Sequence, residues 1–399
     1  MGMKRNKVKA ALAAAVALLV AGCGGGGDDA PPPPPTYTRM VSFGDSLSDV
    51  GTYRTLGMQQ VFGGGQFTVN DFNPATRPKS GTNWTEQLAH ELALPAPCAA
   101  RTGLTPPPGS PLFFLAEAVQ DRAGCTGYAQ GGARVTNPIG PGNAATLAAG
   151  DSRGNLGALT QPVASQIEHH LAVSGGSFAA TELVTVMAGG NDALVQLAPL
   201  SAAVARGASD AEVAALGQQA AAALTLAGTQ LVGLIQSQIL GKGAQRVVVV
   251  LLPDIGVAPA VAALPANRRS SISQLAMAFN LPLLQAFANE PRVLVADAYT
   301  ASELQALAPA KYGLLNTTQP ACALSEQRPN SLFCNTTTVV AADVSRYWFA
   351  DDVHLTPYGY QLLARVVTDT MTRANWLAPS GSRPCNSQPD GCTLAPLPQ

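Results

Sequence analysis

Every residue from Val247 to Leu252 is valine or leucine, so this run has no polar position to turn toward water. A strand with one wet face alternates polar and apolar residues. A strand without alternation has to be covered on both faces, as an inner strand of a parallel sheet is by the helices of its crossover connections. Further short apolar strands are expected at Arg39–Phe43, Leu183–Met187 and Val293–Ala296. Between them the spacing predicts helices over Trp84–Leu92 with Thr82 or Asn83 as cap, from Ala193 onward, over Ser209–Leu240, over Ser271–Ala288 and over Pro357–Asn375. Strand and helix alternate, which specifies an α/β fold: a mainly parallel central sheet in a three-layer α/β/α sandwich, with functional residues at the carboxyl ends of the strands. The stretches 51–81 and 95–121, rich in Gly, Asn, Thr and Pro, read as long loops that would shape any pocket.

The ends read differently. Lys4, Arg5, Lys7 and Lys9 precede an apolar run from Ala10 to Ala21, the pattern of an export signal over residues 1–22. Val20-Ala21-Gly22-Cys23 resembles the bacterial lipobox, which implies lipidation at Cys23 and an anchored protein. Gly24 in place of Asp resembles lipoproteins of the outer membrane. Residues 23–36, with consecutive glycines and prolines, form a solvated tether. The domain is expected over 37–378 and a tail over 379–399. Beyond Cys23, six cysteines remain. An even number in an exported chain points to disulfides, and of the fifteen connectivities the sequential pairs Cys98–Cys125, Cys322–Cys334 and Cys385–Cys392 close the shortest loops. No Cys-x-x-Cys and no nearby histidine supports a metal. A net charge of -1, from 24 basic and 25 acidic residues, argues against a nucleic-acid partner.

A serine stands on the small-residue turn Phe43-Gly44-Asp45-Ser46-Leu47-Ser48-Asp49, just behind the first strand. A serine needs a base to become a nucleophile. Of the four histidines, His90, His169, His170 and His354, only His354 has a carboxylate in a suggestive position, three residues earlier at Asp351. Asp352 is the alternative orienter. Ser46 could instead cap a helix beginning at Leu47, with Asp45 supporting the dipole. His169 and His170 follow Glu168 in a helical context and read as a solvated face rather than a ligand pair. Gly150-Asp151-Ser152-Arg153-Gly154 matches a second nucleophile pattern, Gly-x-Ser-x-Gly, but lacks the buried strand before it and the helix after it.

Gly44-Asp45-Ser46-Leu47, Gly131-Gly132-Ala133, Gly189-Gly190-Asn191-Asp192 and Asp351-x-x-His354 together resemble blocks I, II, III and V of the GDSL or SGNH hydrolases, in the family's order, across about residues 37–375. The resemblance implies a flavodoxin-like sandwich and a cofactor-free serine hydrolase of carboxylic esters, of the esterase, lipase or phospholipase kind, with Ser46, His354 and Asp351 as triad. It assigns the oxyanion donors to the N–H of Ser46, the N–H of Gly132 and the amide of Asn191. Ala350, Leu355 and Gly127 depart from the usual pattern, where Trp, Pro and Asn are common. The same triad would serve a polysaccharide O-deacetylase or an acyltransferase, and a surface binding lipoprotein could keep the fold without activity. Substrate chain length and oligomeric state stay open at this point.

Overall fold

Among the described residues, six strands and eight α-helices follow from these local preferences. The first seven are β1 (Arg39–Gly44), α1 (Leu56–Phe62), α2 (Trp84–Glu91), β2 (Arg101–Leu104), β3 (Glu117–Asp121), α3 (Val163–Val173) and β4 (Glu182–Met187). Then come α4 (Gly190–Ala205), α5 (Asp210–Leu234), β5 (Val247–Val250), α6 (Ala266–Phe287), β6 (Val293–Ala296), α7 (Ala298–Leu307) and α8 (Pro357–Arg373). The computed structural model describes residues 32–73, 75–77, 81–106, 112–141, 143, 160–326 and 328–379. The stretch expected to be an export signal, Cys23, most of the expected tether, Gly150–Gly154, Cys385 and Cys392 lie outside the described residues.

The four main strands pair in the order β1-β4-β5-β6, all parallel. Beside β1, the segment 126–130 adds a fifth, irregular line. Ser42 donates to the Thr126 carbonyl at 3.0 Å, and Tyr128 and Gln130 donate back to Ser42 and Gly44 at 2.8 and 3.1 Å. Because successive side chains of a strand point to opposite faces, β1, β4 and β5 feed two cores. Val41, Phe43, Val184, Val186, Val247 and Val249 pack with α3, α5 and α6 through Ile167, Leu224 and Phe279. Met40, Leu183, Met187, Val248 and Val250 pack with α2 and α8 through Trp84, Leu88, Tyr360 and Val367. This is the three-layer sandwich. Each fully buried valine or leucine contributes about 1.5–3 kcal/mol, and Val247–Val250 is buried along its whole length.

Several expectations change in detail. Helix α4 begins at Gly190, so Asn191 and Asp192 belong to its first turn, and Gly189 takes the cap position. Helix α6 begins at Ala266, ahead of Ser271. The stretch 51–81 is not structureless: Thr55 caps α1 by accepting from Met58. The stretch 95–121 holds the antiparallel pair β2–β3, closed at its base by the Cys98–Cys125 disulfide. Tyr53, Met58, Phe67, Leu104, Leu115 and Phe333 form a satellite core beneath these segments, which is how they become ordered. A second disulfide joins Cys322 to Cys334.

The histidine pair also departs from its reading as a solvated face. His170 is buried, stacked on Phe178 at 4.5 Å and edge-on to Phe43 at 5.9 Å, and burial pushes its pKa down to about 4. His169 is mostly covered too, packed edge-on against Tyr128 at 5.3 Å.

Candidate active site

At the carboxyl end of β1 the chain must leave the sheet sharply. Gly44 has φ +151°, and a Cβ there would sit 2.1 Å from the Met187 carbonyl oxygen of β4, so no other residue keeps both strand ends paired. Gln166 of α3 completes the terminus: its Oε1 accepts from the Gly44 N–H at 2.9 Å, and its Nε2 donates to the Gly44 carbonyl at 2.8 Å. The chain then folds through turns closed by Ser48 N–H to Asp45 O (3.1 Å) and Asp49 N–H to Ser46 O (3.4 Å). No helix starts at Leu47, so Ser46 has none to cap there and Asp45 no dipole there to support.

Ser46 Oγ lies 2.8 Å from His354 Nε2, and His354 Nδ1 lies 2.7 and 2.9 Å from the two oxygens of Asp351. An Nδ1–H that donates to this carboxylate leaves Nε2 free to accept the serine proton. Asp351 also accepts backbone N–H groups from Ser331, Val353 and His354 at 2.7, 2.9 and 2.8 Å. Burial alone would raise its pKa. The charge of His354 and these hydrogen bonds outweigh burial and hold it well below the usual carboxylate range. Asp352 is exposed, and both carboxylate contacts of the ring are to Asp351. The Phe67 ring covers the imidazole at 4.7 Å between centroids.

Facing these groups is the turn 130–133, closed by Ala133 N–H to Gln130 O at 3.1 Å. Gly132 has φ +85°, a conformation an L side chain resists. Asn191 Nδ2 donates to the Ala133 carbonyl at 2.8 Å. An amide nitrogen carries two protons, so a second donor remains. Ser46, Gly132, Asn191 and His354 line one cavity of about 380 Å³.

The profile of the GDSL-like Lipase/Acylhydrolase family matches residues 40–367. The chain belongs to that family. It is therefore a serine hydrolase acting on ester bonds. This GDSL-family chain is similar to several solved structures. Phospholipase A1 from Streptomyces albidoflavus NA297 is 14% identical, with 84% of this chain and 99% of that one covered and a TM-score of 0.41. LAE5, an alpha/beta hydrolase enzyme from the metagenome of Lake Arreo, is 12% identical, with coverages of 86% and 98% and a TM-score of 0.37. An extracellular lipase from Streptomyces rimosus is 14% identical, with coverages of 84% and 99% and a TM-score of 0.36. No curated protein matches the sequence.

Sequence reasoning missed the groups that hold this GDSL-family site together. Asp49 accepts from the N–H groups of Gly51, Thr52 and Gly131 at 2.8, 2.7 and 2.9 Å, tying the Ser46 turn to the Gly131-Gly132 turn. An Asp two residues before a Gly is a turn signal that could have revealed the first of these bonds. Asp192 accepts from Arg134 Nε at 2.9 Å and from Val135 N–H at 3.0 Å, fixing the far side of the same turn to α4. Asp45 lines the cavity as well. Burial pushes its pKa up to about 7, against the pull of the Leu47 and Gly190 N–H groups and His354, and the nearby Asp192 charge adds to the rise. Nothing in the local sequence announces Gln166, whose partner lies 122 positions away.

Proposed function

We propose that the chain hydrolyses carboxylic esters through an acyl-enzyme on Ser46. The observation that carries this reading is the unbroken hydrogen-bond series Ser46 Oγ–His354 Nε2–Asp351, at 2.8 and 2.7 Å. Ser46 Oγ attacks the ester carbonyl carbon while His354 Nε2 takes its proton. The tetrahedral intermediate collapses as His354 returns that proton to the departing alkoxide. Water then enters and attacks the acyl carbon as it loses a proton to His354, and the second intermediate collapses as His354 gives that proton to Ser46 Oγ and the acid leaves. Asp351, kept ionised by its donors, orients Nδ1–H and stabilises the imidazolium that forms at each step.

The oxyanion is assigned to the N–H groups of Ser46 and Gly132 and to the second proton of the Asn191 amide. A donor of this kind lowers the barrier by roughly 3 kcal/mol. The helix start at Gly190 supports the assignment, because it puts Asn191 on the first turn of α4, beside the cavity, with one proton already committed to Ala133.

The test is turnover of p-nitrophenyl esters by Ser46→Ala and His354→Ala. Each is expected to lose activity by a factor of about 10³ or more while its circular dichroism stays unchanged. Substantial turnover by either folded variant would remove the assignment.

Export belongs to the same reading and is supported by the two disulfides, which persist in oxidising compartments. The lipobox-like Val20–Cys23 supports an acyl anchor on Cys23. An intact-mass measurement on detergent-extracted protein should find a diacylated cysteine as first residue. A mature chain with unmodified Cys23 would refute the anchor.

A further inference from the structure

The cavity over Ser46 does not end at the triad. It continues into a slot between α7 and α8, walled on one side by Ala298, Ala301, Ser302 and Gln305 and on the other by Gly359, Leu363 and Val366. Each set recurs at helical spacing, so each is one stripe of its helix. The loop after β5 closes the slot with Leu252, Val257 and Ala258. The 51–81 and 95–121 stretches, expected to shape the pocket, contribute Phe67 and Leu112.

The slot presents hydrocarbon. Of its polar lining groups, Ser302 Oγ donates to the Tyr299 carbonyl at 2.7 Å and accepts from the Asp254 N–H at 2.9 Å. Asp254 accepts from the Gly256 N–H at 2.7 Å and from Ser273 Oγ at 2.9 Å. Ser302 and Asp254 are satisfied by the protein itself and have little to offer a polar ligand, which leaves the Gln305 amide as the polar group of the α7 wall. The two alanines of α7 leave the width. Larger side chains at Ala298 or Ala301 would fill it.

We propose that this slot binds the acyl half of the ester and that its length selects a straight chain of medium size. The inference rests on the ester-hydrolase reading and adds which half of the ester is held where. Each stripe runs over eight residues, seven rises of 1.5 Å, or about 10 Å. An extended chain advances roughly 1.2 Å per bond, so about eight bonds fill the slot. The cavity volume of about 380 Å³ is near the low end of small-molecule pockets, roughly 300–1,000 Å³. It suits one such chain and not two long ones.

The experiment compares kcat/KM for p-nitrophenyl octanoate and p-nitrophenyl acetate in the natural protein, in Ala301→Phe and in Val366→Phe, one substitution on each wall. The octanoate-to-acetate ratio is expected to exceed ten in the natural protein and to fall at least tenfold in either variant. A ratio that ignores both substitutions, or a natural preference for acetate, overturns the slot while leaving the hydrolase reading standing. Calorimetric titration with octanoic acid reads the slot without turnover. Binding with a negative heat-capacity change is expected, weakened at least tenfold by either substitution. Equal binding by natural protein and variants overturns the proposal, as does no binding at all. Slot-dependent binding by a natural protein that cleaves no ester would instead overturn the hydrolase reading and keep the slot. Where circular dichroism finds one variant unfolded, the variant on the opposite wall decides.

Discussion

The surroundings of Asp351 and of Asp45 each bury one carboxylate within reach of the charge of His354, and they treat it in opposite ways. Asp351 is held well below the ordinary carboxylate range, whereas Asp45 is pushed up to about 7. Burial opposes ionisation at both, so burial does not explain the difference. Donor supply does. Asp351 collects backbone N–H groups from Ser331, Val353 and His354 besides the imidazole. Asp45 has the N–H groups of Leu47 and Gly190, and it shares its surroundings with the second carboxylate of Asp192. A carboxylate that stays ionised through a catalytic cycle can hold an imidazolium. One that takes up a proton near neutrality cannot hold it as well.

The largest expected effect tests that contrast directly. Asp351→Asn should lower kcat by about 10⁴, because an amide leaves the ring in the wrong tautomer, whereas Asp45→Asn should stay within about tenfold of the natural enzyme. Steady-state kinetics at pH 8 checks both, and equal losses would break the comparison.

A smaller effect should come from the donors themselves. The Cys322–Cys334 disulfide braces the turn that supplies the Ser331 N–H, since Cys334 N–H bonds to Ser331 O at 3.0 Å and Cys322 N–H to Ala350 O at 2.9 Å, next to Asp351. Asn70 Nδ2 ties the same turn to the 66–70 loop through the carbonyls of Ser331 and Cys334. The double variant Cys322→Ala, Cys334→Ala should lose roughly 3 kcal/mol of stability and ten- to a hundredfold in kcat. An unchanged kcat at a temperature where the variant is folded would separate the staple from the site.

The smallest effect concerns pH. The folded pKa of Asp45 is raised to about 7 from an unfolded value of about 4. Its contribution to stability is therefore full below about pH 4 and is lost as pH rises through 7. Asp45→Asn removes this loss, which is on the order of a few kcal/mol. The Tm of the variant relative to the natural protein should climb by a few °C between pH 5 and pH 8. A pH-independent difference would show that Asp45 does not titrate there.

The contrast between these two aspartates was invisible in the sequence, although much around them was legible. The valines of β5 announced an inner strand because their pattern is local. Gly44-Asp45-Ser46 and Asp351-x-x-His354 announced candidate partners because each is a short constellation. What escaped depends on contacts between distant segments. His170 looked solvated beside Glu168 and His169, and only Phe43 and Phe178 bury it. Strand β3 is largely exposed, so it carries no apolar alternation to read. Helix α1 is short, contains Gly57 and is held by its satellite core rather than by propensity. Helix α7 follows β6 at once, and its Asp297 cap was the available signal. One donor of Asp351 comes from Ser331, which no spacing rule connects to a histidine loop.

The central claim is that Ser46 is reactive because His354 and Asp351 make it so. Mass spectrometry after treatment with a fluorophosphonate tests this most directly. The account predicts a single adduct on the peptide containing Ser46, lost when His354 is replaced by alanine. An adduct on another serine, or labelling of Ser46 that survives removal of His354, would contradict it.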